Sequence, residues 1–136
     1  MIFFKKFLFL FTYQKAIVLA SHKEYLEALN ILEKAKYKKK FFLYFLLAAF
    51  LYERLGELET SLLYYDKAKY MIFNNKKINE DEKNYLLKYI NQGYINIYNI
   101  KGNNDIVTKY QNENILLRFD YNNINNTLKK DFVMSK

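Results

Sequence analysis

The apolar positions of this 136-residue chain fall into blocks with helical spacing, separated by short polar breaks. The densest block is residues 41–52, FFLYFLLAAFLY, twelve apolar residues in a row that end at Glu53 and Arg54. A run that is apolar all round and too short to cross a bilayer belongs to a helix packed from several directions. Phe45, Ala48, Ala49, Tyr52, Gly56, Ser61, Tyr65 and Ala68 place small and aromatic residues mostly three and four apart. That spacing puts them on one face of a helix on either side of Gly56. Small residues let two backbones come close, and aromatics fill the space beside them. The spacing therefore predicts a hairpin: a helix over 41–55, a turn at Gly56 and a helix over 58–73.

The same pattern recurs. Ala16, Leu19, Lys23, Ala28, Leu32 and Ala35 lie 33 residues before Ala49, Tyr52, Gly56, Ser61, Tyr65 and Ala68. This predicts a helix over 7–21, a turn at Ser21–Glu24 and a helix over 24–37. Tyr25, Ala28, Leu29, Leu32 and Ala35 would face inward, with Glu33 and Lys34 towards solvent. Lys23 stands where the second copy has glycine, which is tolerable if its φ is negative. Ile95, Tyr98 and Gly102 lie 46 residues after Ala49, Tyr52 and Gly56, so about 12 residues are added to the ordinary period. These should lengthen the helices around the polar break at 74–78. Asn79, with Glu82 three residues on, reads as a capping box opening a helix over 80–101. Gly102 and Asn103–Asn104 then turn the chain. A more polar helix follows over 105–118, with Ile106, Val107, Tyr110 and Leu117 buried. Gln111 and Asn114 replace the aromatic and alanine of the second copy. Residues 119–126 read as a loop, and 127–133 as a short helix or a frayed end.

A helix–turn–helix unit with these small and aromatic positions resembles the tetratricopeptide repeat, a 34-residue hairpin. The resemblance covers roughly residues 9–118, with repeats at about 9–40, 41–74 and 80–118 and a tail over 119–136. It implies an all-α fold for the whole of 1–136 as one domain: a right-handed α-solenoid of antiparallel hairpins, six to seven helices in all. A polar last helix suits the end of such an array, where nothing stacks beyond it. Members of this family are binding scaffolds whose first helices line a concave groove for an extended peptide or a partner helix.

Taking the residues beside the packed ones gives the groove positions. They are Leu10, Tyr13 and Ile17 in the first repeat, and Leu43, Leu46, Phe50, Glu53 and Arg54 in the second. In the third they are Tyr89, Gln92, Asn96 and Asn99. One half is apolar and aromatic; the other is amide. Gln92, Asn96, Asn99 and Asn103 form a stripe at intervals of four, three and four. Amides offer both donor and acceptor, as an extended peptide backbone requires. The expected partner-binding set is thus Tyr13, Ile17, Leu46, Phe50, Arg54, Tyr89, Gln92, Asn96 and Asn99. Family members that clamp a peptide carboxylate carry Lys, Asn and Arg at such places. Tyr13, Ile17, Leu46 and Phe50 argue against that mode.

Composition narrows the alternatives. With no Pro and three Gly, the chain lacks the punctuation of strand–turn proteins. It has no Cys and one His, which excludes disulfides, thiol chemistry and clustered-histidine metal sites. No phosphate loop, zinc spacing or nucleophile elbow is present, so neither an enzyme nor a small-molecule substrate or cofactor is expected. The net charge is +8, and residues 1–40 hold nine Lys against three Glu. Arginine is confined to Arg54 and Arg118, and no helix carries basic residues along one face, which argues against nucleic acid. Lys5 and Lys6 precede an apolar run that stops at Thr12, Gln14 and Lys15. This stretch reads either as the first helix of the array or as a targeting segment. The expected function is a non-catalytic, cytoplasmic protein-interaction scaffold. Two rival readings stand beside it: a membrane-associated or exported scaffold held through residues 1–20, and a self-associating accessory domain.

Overall fold

The structure, a computed structural model, describes residues 2–131. It is an all-α array. The helices are α1 (Ile2–Ser21), α2 (Tyr25–Glu33), α3 (Phe42–Arg54), α4 (Leu58–Phe73), α5 (Glu80–Ile100), α6 (Asn104–Leu116) and α7 (Asn126–Asp131). Single turns of 3-10 helix lie at Lys38–Lys40 and Tyr121–Asn123, and the described residues contain no strand. Helices α1 and α2, α3 and α4, and α5 and α6 pack as antiparallel hairpins; α2 rests on α3, and α4 on α5. The added residues of the third copy sit in α4, with 16 residues against 9 in α2, and in α5, with 21 against 13 in α3.

One turn is used three times. The amides of Lys23, Gly56 and Gly102 donate to the carbonyls of Ala20, Glu53 and Asn99. The next amides, of Glu24, Glu57 and Asn103, reach back to Leu19, Tyr52 and Tyr98. This paired closure satisfies carbonyls that a helix end leaves open, and it requires a left-handed residue. Gly56 (φ 84°) and Gly102 (φ 75°) supply it without strain. The expectation of a negative φ at Lys23 is corrected: it is at 64°. The shared turn fixes its backbone, and the side chain bears a cost of about 1 kcal/mol. Four residues after each helix entrance carbonyl, Ala28, Ser61 and Val107 bury their side chains between the paired helices. Ser61 also donates its hydroxyl to the Ala49 carbonyl at 2.6 Å.

Two further expectations change. Helix α2 ends at Glu33, not near 37: the Lys34 and Ala35 amides donate only three residues back, to Ile31 and Leu32, and the chain then turns through Tyr37 at a left-handed φ of 63°. Glu33 does not point freely to solvent. It accepts from the Tyr44 phenol (2.7 Å) and the Lys38 ammonium (3.0 Å), which ties the end of α2 to α3. The residues after α6 are anchored. Ile124 and Leu128 are buried, Phe119 meets Tyr85 edge-on at 5.1 Å, and the amide of Asn125 donates to Glu82. The end of the expected 127–133 helix lies outside the described residues.

The capping box at the start of α5 forms as its spacing requires. The Glu82 amide donates to Asn79 Oδ1 at 2.7 Å, and the Asn79 amide to Glu82 Oε1 at 3.0 Å. In the third hairpin Asn114 occupies the alanine place. It accepts from Asn91 Nδ2 at 3.0 Å, so an amide pair replaces part of the apolar contact.

Candidate functional site

The amide stripe on α5 meets the end of α3 at Glu53. Helix α3 is apolar over most of its length, and Glu53 is its first carboxylate. Packing between α4 and α5 leaves that side chain only 9% exposed. Oε1 accepts from the Tyr65 phenol at 3.0 Å, and Oε2 from Asn96 Nδ2 at 3.3 Å. Asn96 Oδ1 in turn accepts from Gln92 Nε2 at 2.9 Å. The result is a polar chain running from the surface inward: Gln92 to Asn96 to Glu53, closed from below by Tyr65. Burial raises the Glu53 carboxyl above its ordinary value, against the opposing pull of the Tyr65 and Asn96 hydrogen bonds and the Arg54 charge. Burial, with the Glu53 carboxylate beside it, holds the Tyr65 phenol well above its own ordinary value, so it remains a donor.

Gly93 makes this approach possible. A Cβ there would lie 2.4 Å from Tyr65 Cζ, so only glycine lets the ring pass between α4 and the α5 backbone. Helical spacing placed Glu53 among the groove positions and Tyr65 on the packed face, but it showed neither their hydrogen bond nor the part of Gly93 in it. The one signal available was a lone glycine inside an otherwise regular helix, which marks a close contact without naming the partner.

The expected residues divide into two groups. Arg54 is exposed beside Glu53, with its guanidinium 5.0 Å from the Phe50 ring centre. Gln92 and Asn99 are exposed, and Asn96 and Tyr89 are half-buried, along one face of α5. Asn99 makes no side-chain hydrogen bond among the described residues, whereas Asn103 is committed to the α6 cap through the Ile106 amide. Tyr13, Ile17, Leu46 and Phe50 belong to the core instead. Phe9 approaches Tyr13 at 5.4 Å, and Tyr25 approaches Phe50 edge-on at 6.1 Å. The apolar half of the expected groove is therefore filled by the protein's own side chains, as a short array requires if its wide apolar helices are to leave water. The described residues hold no cluster of three or more His, Asp or Glu suited to a metal ion, and no helix among them is long and apolar enough to cross a membrane.

Compared with known proteins, the chain matches no protein-family model, no curated protein and no solved structure.

Proposed function

We propose that this protein is a non-catalytic, tetratricopeptide-like interaction scaffold that receives an extended segment of another protein along the amide face of α5. The observation that carries this reading is the Gln92–Asn96–Glu53 hydrogen-bonded chain, with Arg54, Tyr89 and Asn99 around it. The three identical hairpin turns support the repeat character of the array. Side chains that hold one another in place lose little further entropy on binding. Gln92 keeps its carbonyl, and Asn99 keeps a full set of donors and acceptors, for main-chain groups of a guest. Tyr89 supplies apolar contact, and Arg54 favours an acidic residue nearby.

Selection from a displayed random-peptide library on the immobilised protein tests this reading. The intact chain recovers a peptide family, and a Gln92→Ala, Asn96→Ala, Asn99→Ala variant of unchanged helix content loses it. Recovery of the same peptides by both proteins, or of none by either, overturns the proposal.

A further inference from the structure

The outer face of α1 plays no part in the amide site, yet it carries a row of exposed apolar side chains. Phe9, Tyr13, Ala16 and Ala20 turn one side of α1 into the core. On the other side Phe3, Phe7, Phe11 and Val18 follow one line along the helix, and all are exposed, Phe3 by 87% and Phe7 by 66%. Phe4 stands beside that line, 58% exposed. At 3.6 residues per turn, Lys6 and Lys15 fall on opposite flanks of the line. Helix α1 contains no acidic residue.

The charge around its first turns is also of one sign. Lys5 lies 5.2 Å from the ring centre of Tyr37, and Lys40 lies 6.0 Å from the same ring. These two ammonium groups meet closely enough that Lys5 holds Lys40 below its ordinary value. Among the described residues Lys5, Lys6, Lys15, Lys39 and Lys40 make no ion pair. Lys5 and Lys40 thus add unpaired positive charge at the start of α1, on the side turned away from the phenyl line, and Lys6 and Lys15 are the cations that flank the rings.

We propose that the outer face of α1 docks in the plane of an anionic lipid surface, with its phenyl rings in the acyl boundary and the flanking lysines among the headgroups. An interfacial helix needs an apolar line, cationic flanks and no carboxylate on the buried side, and α1 has all three. Charge decides against a second copy as the occupant. Two α1 faces brought together oppose lysine only to apolar groups or to lysine, whereas an anionic surface neutralises both flanks.

The test is cosedimentation of the full chain with phosphatidylcholine vesicles, with and without phosphatidylserine, at low and high salt. The intact protein binds the phosphatidylserine vesicles, leaves them at high salt and ignores phosphatidylcholine alone. Lys6→Gln with Lys15→Gln weakens binding roughly thirtyfold, from the loss of two lysines near the surface. Phe3→Ser with Phe7→Ser, at positions that support no core contact, weakens it about tenfold or more while helix content is unchanged. No binding at low salt, equal binding to both vesicle types, or binding indifferent to the phenylalanine pair overturns the proposal. A concentration-dependent dimer that the phenylalanine pair abolishes, without vesicle binding, overturns it in favour of a second copy.

Discussion

Gly93 and Lys23 occupy backbone positions at which glycine and a larger residue are not interchangeable, and they predict opposite effects. At Gly93 an added methyl must displace the buried Tyr65 ring, whose Cζ would be 2.4 Å away. Overpacking of this kind costs more than the roughly 1 kcal/mol gained in helix propensity. Gly93→Ala is expected to lose about 2 kcal/mol net in urea unfolding, with a lower Tm. At Lys23 the φ of 64° favours glycine, the residue found at the equivalent turns. Lys23→Gly is expected to gain about 0.5–1 kcal/mol in the same measurement. Gly56 and Gly102 were legible in the sequence because glycine after a helical block is a known stop. Lys23 was aligned with them by the 33-residue repeat, but its positive φ was not legible, because that strain comes from the shared turn and leaves no mark on residue type. The contacts of Tyr65 and Glu53 with α5 were hidden for a related reason: they span 28 and 43 residues of sequence.

Element by element, the sequence was most informative where a helix is bounded by local chemistry. The Asn79–Glu82 capping box, the break at 74–78 and the three hairpin turns are signals contained within a few residues. The segment after α6 carried no such signal, since its asparagine-rich composition reads as loop, and its anchors lie far away in the chain. Asp81 holds that segment by accepting from the Asp120 amide at 3.1 Å and from Asn123 Nδ2 at 2.7 Å. The Asn123 and Asp120 hydrogen bonds lower the Asp81 carboxyl below its ordinary value. A lowered carboxyl contributes stability above the unfolded-chain value and loses it as pH falls through the folded-state value. Acid should therefore loosen the segment. Asp81→Ala should raise hydrogen-exchange rates over 117–125 at neutral pH, while rates in α3 and α4 stay unchanged. Unchanged exchange over 117–125 would show that Phe119, Ile124 and Leu128 hold the segment without Asp81.

At the scale of the whole molecule, Glu53 links stability to the proposed binding face. Its carboxyl is raised by burial, so the stability it contributes is fully present below the unfolded-chain value and is lost as pH rises through the raised value. Glu53→Gln removes that titration. Parent and variant should diverge steadily in the variant's favour as urea unfolding is followed from acid to neutral pH. A constant difference between them would mean that Glu53 titrates as an ordinary surface carboxylate. The proposed binding face is smaller than helical spacing alone predicts, because Tyr13, Ile17, Leu46 and Phe50 are used to close the core. What is left is the strip from Arg54 to Asn99 on α3 and α5. Its use as a peptide site is tested most directly by mapping backbone amide shifts while a library-selected peptide is titrated into the full chain. The account predicts that the shifted amides cluster at 53–54 and 89–99. Shifts concentrated on α1 or α6, with that strip unmoved, would contradict it.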